Sequence, residues 1–231
     1  MRAGASIIFQ GVLHDAESMT YGAPDLMFRS DVLRRLFPDA IEDEESRAPA
    51  PELGADHHYC IVDVKFTNLA LLKSGELGNT GSSRAYKAQL FIYNRALGRL
   101  QGYLPPKAYL LGRGWKQGSE RGTSCMERLA PVYHSSNISK GYSLGEATAD
   151  AVEWIRRARS EGKGWKVLPD PSLDELRPNM SHLQDAPWHT AKRKIGHELE
   201  DLTLLWQVGI DKRIAANQAG IYRWTEGTFT A

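Results

Sequence analysis

The N-terminal third of the chain alternates between apolar stretches and polar connections. Segments 6–14 and 21–29 are rich in apolar and β-branched residues and are joined by the polar segment 15–20, which predicts a β-hairpin. The acidic segment 38–57 contains three prolines and a glycine and predicts an exposed loop. Residues 59–66 are apolar at most positions, which predicts a strand that is covered on both faces.

A helix and another strand follow this buried strand. In segment 83–98, small and apolar residues recur at helical spacing and a glycine lies near the end, so we expect a helix. Segment 107–111 predicts the next strand. The order of three strands, a helix and a strand indicates an α/β protein with a mixed central β-sheet flanked by helices.

The C-terminal part of the chain predicts helices only. Segments 146–160, 188–206 and 211–219 each have helical patterns, and they are separated by loops containing glycine and proline. We therefore expect a core domain over residues 1–165 and a helical extension over residues 166–231.

Composition agrees with a folded globular protein and excludes several classes. Hydrophobic residues make up 42% and charged residues 25% of the 231 positions. No apolar run approaches the ~20 residues that span a bilayer, and two cysteines cannot build a four-cysteine cluster, so we expect a cytoplasmic protein without a membrane partner. The net charge of +1 does not by itself indicate a polyanionic partner. One basic run, which is more often a solvated helix side than a binding face, consists of Arg156, Arg157, Arg159, Lys163 and Lys166.

Two charged residues interrupt the buried strand. Residues two apart on a strand project to the same face, so Asp63 and Lys65 should lie side by side while Val62 and Val64 point into the opposite layer. Charges among buried residues are costly unless they pair or bind a metal. Asp25, in the preceding β-rich stretch, is a candidate for a second carboxylate at the same place.

Two carboxylates and a backbone carbonyl would form an oxygen-rich half-shell. Asp25, Asp63 and the carbonyl of Val64 are donors that Mg²⁺ or Mn²⁺ accepts while keeping several waters. Such a cation would polarise a phosphoryl oxygen and lower the pKa of a bound water, while Lys65 positions that water or neutralises developing charge. The alternative is that Asp63 and Lys65 form a structural ion pair at a strand end.

Three motifs in order resemble those of a known family. Gly22-Ala-Pro-Asp25, Asp63-Val-Lys65 and Gln89-Leu-Phe-Ile-Tyr93 are similar to the G-x-x-D, (D/E)-x-K and Q-x-x-x-Y motifs of RecB-family nucleases, a branch of the PD-(D/E)xK superfamily. The resemblance implies a restriction-endonuclease-like core in which Asp25 and Asp63 bind the metal and Lys65 serves the water. Gln89 and Tyr93, four apart on a helix, would share a face and reach the substrate phosphate or Lys65.

The resemblance also implies a function. We expect a magnesium- or manganese-dependent deoxyribonuclease that hydrolyses phosphodiester bonds in DNA repair, recombination or defence, with exonuclease action on single-stranded ends as the expected mode. This chain has no counterpart of the upstream helix that carries a histidine in many relatives. Whether His14 or Glu17 assists the metal stays open.

Two other functions compete with this one. The chain could be a non-catalytic nucleic-acid-binding or assembly module on a nuclease scaffold, or a metal-dependent hydrolase of another phosphate ester. The segment 206–211 resembles the turn of a helix-hairpin-helix module, which presents backbone N–H groups to DNA phosphate, although such turns are common in non-binding proteins. Because a strand begins near the N-terminus and the chain stops at Ala231, we also expect a further domain or partner protein.

Overall fold

The computed structural model describes residues 1–226, which form two compact units. The first unit spans Met1–Glu153 and the second begins at Trp154, so the division falls within helix α4 (Leu144–Glu161). The sequence places this division later, at residues 165 and 166, and residues 227–231 of the predicted extension lie outside the described part. All five candidate catalytic residues belong to the first unit.

The first unit is built on a six-stranded mixed sheet. Its strands are β1 (Ile7–Phe9), β4 (Leu26–Arg29), β5 (Tyr59–Leu71), β6 (Lys107–Gln117), β7 (Glu120–Gly122) and β8 (Ala130–Tyr133). The order is β1-β4-β5-β6-β7, and β8 also pairs with β6. Among the strand pairs of this sheet, only β5 and β6 run parallel. A parallel pair requires a crossover connection between its strands, and this connection contains helix α3 (Ser83–Gln101).

Helices cover both faces of this sheet, so the predicted mixed α/β architecture is confirmed. Because side chains alternate along a strand, neighbouring residues of β5 belong to different cores: Ile61 lies with α3 and Val62 lies with α1 (Ser30–Leu36). The α3 core includes Tyr59, Leu90, Phe91, Leu97 and Leu110. The α1 core includes Phe28, Val32, Leu33, Cys60 and Tyr109.

The predicted N-terminal hairpin is divided between two sheets. β1 pairs with β4 in the main sheet, whereas β2 (Leu13–Asp15) pairs with β3 (Thr20–Gly22) in a separate antiparallel hairpin. The break lies at Gln10, whose φ of 46° is incompatible with a continuous strand. Its N–H donates to the carbonyl of Asp25 at 2.9 Å, which fixes the point where the chain changes sheet.

Several elements differ in extent from the sequence prediction. The expected loop 38–57 contains the four-residue helix α2 (Asp43–Ser46) and a 3₁₀ turn. β5 continues past Phe66 to Leu71 because it remains paired with β6. A short hairpin of β9 (Asn137–Ser139) and β10 (Tyr142–Ser143) precedes α4.

The second unit is helical with a small apolar core. Its helices after α4 are α5 (His189–Glu198) and α6 (Ile210–Gln218). The prediction that one helix continues to Trp206 is wrong, because Glu200 adopts a φ of 52° and the Asp201 side chain caps a 3₁₀ turn. In neither unit is any helix over residues 1–226 long and apolar enough to cross a membrane.

Candidate active site

Asp25 and Asp63 face each other across neighbouring strands. β4 and β5 are antiparallel with Leu26 opposite Val62, so the residue before Leu26 lies across from the residue after Val62. Asp63 is only 2% exposed, whereas Asp25 is partly exposed. Oδ2 of Asp25 accepts a hydrogen bond of 2.8 Å from the Val64 N–H, which holds its carboxylate against β5. The two carboxylates are therefore brought together.

Lys65 connects this carboxylate pair to helix α3. Its Nζ lies 2.5 Å from Oδ2 of Asp63 and donates a hydrogen bond of 3.0 Å to Oε1 of Gln89. Nε2 of Gln89 in turn donates to the Tyr93 hydroxyl at 2.9 Å. The structure therefore places the five predicted site residues in one connected group.

The Lys65 ammonium compensates Asp63 only in part. Nζ of Lys65 contacts the buried Oδ2 of Asp63 at 2.5 Å, while the Asp25 carboxylate lies beside the same group. Burial raises the pKa of Asp63, Lys65 acts against that rise, and the Asp25 carboxylate adds to it. Two neighbouring carboxylates with one ammonium leave a net negative charge, and a divalent cation would offset it.

Helix α3 supplies one residue that the sequence analysis missed. The Tyr86 ring lies below Lys65, with Nζ 5.0 Å from the ring centre, a cation–π distance. Tyr86 precedes Gln89 by three residues and so shares its helix face with both Gln89 and Tyr93. The spacing of Tyr86, Gln89 and Tyr93 was visible in the sequence. No neighbouring residue in the sequence indicated that Lys65 would reach the part of the helix face that carries Tyr86.

Position 22 requires a glycine because the Tyr93 ring lies close to its backbone. A Cβ atom at Gly22 would lie 2.3 Å from Cε1 of the Tyr93 ring, closer than any side chain allows. The glycine of the first motif therefore permits β3 to pack against the tyrosine of the third motif. This contact links two segments that are about seventy residues apart in the sequence.

An ion pair between the buried Asp15 and the partly exposed Arg99 ties the β2–β3 hairpin to the same helix. Asp15, which the sequence analysis did not select, is 4% exposed and accepts hydrogen bonds of 2.5 Å from both Arg99 and Ser18. Burial alone would raise its pKa, but the hydrogen bonds from Ser18 and Arg99 hold the pKa of Asp15 down at about 2. The hairpin that carries Gly22 is thereby fastened to α3.

Among residues 1–226, no third acidic or histidine side chain joins Asp25 and Asp63 in a metal-binding group. Oε1 of Glu17 lies 2.9 Å from Nη2 of Arg99, and His14 is exposed on β2. Within residues 1–226, no group of three or more His, Cys, Asp or Glu side chains is arranged to hold a metal ion, so neither residue joins Asp25 and Asp63 in such a group.

Val64 differs from its predicted environment. Val62 is buried as expected, but Val64 is 43% exposed, because β5 leaves the covered part of the sheet after Asp63. The prediction that Val64 points into a covered layer is wrong. A role for its carbonyl as a metal ligand stays a prediction.

Comparison with known proteins gives no relative from which to carry over a function. No family model matches the sequence, and no curated protein or solved structure is significantly similar to the chain. What the chain does is therefore inferred from the chemistry of the group formed by Asp25, Asp63, Lys65, Gln89 and Tyr93.

Proposed function

We propose that the chain is a magnesium- or manganese-dependent nuclease that hydrolyses phosphodiester bonds in DNA. The observation that carries the proposal is the buried Asp63 carboxylate, which lies beside a second carboxylate and a lysine. Two carboxylates and one ammonium leave a net negative charge that a divalent cation would offset. The combination of two carboxylates and an adjacent ammonium matches the needs of phosphodiester hydrolysis, in which negative charge develops on the phosphate.

The donor set fits a hard divalent cation. Asp25 and Asp63 would hold it, with the Val64 carbonyl as a further oxygen donor, and waters and a substrate phosphate would complete the shell. Mg²⁺ in particular is often bound by one or two carboxylates together with phosphate and water. When bound, the cation would polarise the phosphoryl oxygen and lower the pKa of a bound water.

The protein's own contribution is to hold Lys65 in place. Gln89 fixes the ammonium through its side-chain carbonyl, and Tyr93 is positioned to fix the Gln89 amide. Lys65 then donates a hydrogen bond towards the attacking water or the reacting phosphate and offsets the charge that develops there. In this scheme Gln89 and Tyr93 are positioning residues for Lys65, and either could also donate to a substrate phosphate.

We further propose a restriction-endonuclease-like core related to RecB-family nucleases. The proposal is supported by the elements that carry the three motifs: Asp25 immediately before β4, Asp63 and Lys65 on β5, and Gln89 and Tyr93 on α3, followed by the parallel strand β6. The proposed biological setting is DNA repair, recombination or defence in the cytoplasm, with single-stranded ends as substrates and a further domain or partner protein.

A cleavage assay tests the catalytic proposal. End-labelled single-stranded and double-stranded DNA would be incubated with Mn²⁺ or Mg²⁺ and with the wild type, Asp63→Asn or Lys65→Ala. Loss of a metal-binding carboxylate should lower the cleavage rate by about 100-fold or more, since even changes to the groups that orient metal ligands cost about 10- to 100-fold. A parallel panel of nucleotides and other phosphate esters would reveal a hydrolase of a different substrate class.

The matched control is Asp43→Asn, which removes an exposed carboxylate from α2. Among the described residues, Asp43 forms an ion pair only with Arg47, at 2.8 Å, and it lies outside the Asp63 group. Its cleavage rate should equal that of the wild type. Equal rates for the wild type, Asp63→Asn and Lys65→Ala would contradict a catalytic role for this site.

One observation favours a second candidate, a non-catalytic nucleic-acid-binding or assembly module. Lys65 and Asp63 already neutralise each other at 2.5 Å, so the pair can persist as part of a scaffold without a metal. DNA binding that persists in EDTA, together with no cleavage under any divalent metal, would favour this candidate over the nuclease.

A further inference from the structure

The main sheet continues beyond the carboxylates as a partly uncovered three-stranded surface. We define the sheet extension as residues 64–71 of β5, residues 112–117 of β6 and all of β7. Positions 59–63 of β5 are buried, but Val64 and residues 66–68 are exposed and Lys65 is half-buried. The extension therefore begins next to the candidate active site along β5, and Phe66 projects to the face of the sheet opposite Asp63 and Lys65.

The sheet extension carries a concentrated positive charge. It contains four basic residues and one acidic residue, whereas the whole chain has a net charge of only +1. The exposed side chains of Arg113, Lys116 and Arg121 make no ion pair with any described residue. By contrast, several basic residues elsewhere are paired with carboxylates, as in Arg29–Asp31, Arg47–Asp43, Arg99–Asp15 and Arg157–Glu161.

Two of these unpaired cations face each other. In the register of β6 and β7, Lys116 lies directly opposite Arg121. Like charges at opposed positions of an antiparallel pair are destabilising, so this arrangement costs stability in the isolated chain. An anion bound between the two side chains would offset that cost, and a backbone phosphate has the required charge.

An exposed aromatic ring accompanies the charge. The Phe66 side chain is 87% exposed and follows Lys65 immediately, and the Arg113 guanidinium lies 5.5 Å from its ring centre. A second such pair is formed by Trp115 and Arg128, at 5.0 Å. Aromatic rings and guanidinium planes beside phosphate-binding cations are the groups on which unpaired bases stack.

We propose that the sheet extension binds single-stranded DNA. This inference rests on the proposed function for the identity of the polymer. Lys116 and Arg121 hold phosphate, and Phe66 stacks on a base, which must be unpaired to offer its face. Lys116 pairs with Ala70, seven residues along β5 from Asp63, or about 23 Å at the rise of a strand, which is long enough for several nucleotides.

The test measures binding without cleavage. Fluorescence anisotropy would follow a labelled single-stranded oligonucleotide, and a duplex of the same length, in EDTA over a series of salt concentrations. For the double variant Lys116→Gln/Arg121→Gln, we expect weaker binding and a salt slope smaller by about 1.4, since each phosphate contact on a single strand contributes about 0.7. For Phe66→Ala, we expect about tenfold weaker binding of the single strand and no change for the duplex.

The control variant removes the same number of positive charges from the second unit. Lys163→Gln/Lys166→Gln removes two exposed cations from the basic run around α4, and it should bind single-stranded DNA as the wild type does. The inference is overturned if this control loses as much affinity as Lys116→Gln/Arg121→Gln, or if the latter binds like the wild type. Equal losses of single-strand and duplex binding in Phe66→Ala would overturn the stacking role and the preference for a single strand.

The binding proposal and the catalytic proposal can fail independently of each other. Binding in EDTA that depends on the sheet extension, without cleavage under Mn²⁺ or Mg²⁺, would support the binding surface and contradict the nuclease. Metal-dependent cleavage combined with unchanged binding by the extension variants would support the nuclease and contradict the binding surface.

Discussion

Two buried aspartates, one in each unit, have opposite surroundings. Asp201 in the second unit is fully buried, and both of its oxygens have partners. Oδ1 accepts from the N–H of Thr203 at 2.9 Å and from its hydroxyl at 2.5 Å, and Oδ2 accepts from Arg213 at 3.2 Å. Asp63 is almost as buried, yet it lies beside the Asp25 carboxylate, and the Lys65 ammonium at 2.5 Å is the one cation that contacts it among the described residues.

This difference separates an aspartate that stabilises a fold from one that is available to a ligand. Donors surround Asp201, so its charge is compensated without any external group. Asp63 has one cation, Lys65, in contact and the like charge of Asp25 on the neighbouring strand, so its charge is incompletely compensated. Burial alone does not distinguish the two residues, whereas the balance of charges and donors around each carboxylate does.

The largest expected effect on stability is at Asp201. Asp201→Ala would leave the buried Arg213 guanidinium without its counter-ion and should destabilise the second unit by about 3 to 5 kcal/mol. Five of the six tryptophans lie in this unit, so urea denaturation followed by tryptophan fluorescence reports mainly on it. A separate transition is expected for the first unit, so the two should be fitted individually.

The control is Asp174→Ala in the same unit. Asp174 is largely exposed and pairs with Arg177 at 3.4 Å, a surface contact that contributes at most about 1 kcal/mol. If Asp201→Ala and Asp174→Ala shift the urea midpoint equally, the buried network at Asp201 does not have the structural role inferred for it.

A smaller effect is expected at Gly22, where the first motif packs against Tyr93 of the third motif. Gly22→Ala would bring a methyl group to within 2.3 Å of the Tyr93 ring, and relieving that overlap should cost about 1 to 3 kcal/mol. Because Tyr93 fixes Gln89 and thereby Lys65, DNA cleavage should fall as well. Thermal denaturation and the cleavage assay would measure the two effects.

Gly164→Ala is the matched control for this substitution. Apart from the adjoining residues, no atom of the described chain lies within 4 Å of a Cβ built at Gly164, so the added methyl group should be tolerated. A Gly22→Ala protein with the stability and activity of the wild type would show that the packing of Tyr93 against β3 is unimportant for the site.

The smallest expected effect is the pH dependence of the Asp15 ion pair. The pKa of Asp15 is about 2 in the folded chain, below its ordinary value of 3.8. The ionised carboxylate therefore contributes to the free energy of unfolding above pH 3.8, and this contribution is lost as the pH falls through about 2. We expect this loss to be on the order of 1 kcal/mol, less than the full shift implies, because Arg99 is partly exposed and solvent screens the pair.

The measurement compares the wild type with Asp15→Asn in urea denaturation followed by circular dichroism between pH 5 and pH 2. The wild type should lose more stability than the variant over this interval, because an asparagine has no charge to titrate. Parallel pH profiles for the two proteins would contradict the assigned role of Asp15 in fastening the hairpin to α3.

Local spacing in the sequence placed two pairs of candidate site residues on common faces. Alternation along a strand puts Asp63 and Lys65 on one face, and a four-residue spacing on a helix does the same for Gln89 and Tyr93. The mixed α/β architecture also followed from the order of periodic segments. These features depend on residues only a few positions apart. The repeat of the strand or helix sets where such residues lie relative to each other.

The tertiary structure alone decided how these pieces meet. The register of β4 with β5 places Asp25 across from Asp63, and the packing of α3 brings Tyr86 beneath Lys65. The division of the N-terminal hairpin, the Asp15–Arg99 pair and the facing cations of the sheet extension likewise depend on contacts between distant segments. Such contacts are selected by the packing of the whole core, so no local period in the sequence specifies them.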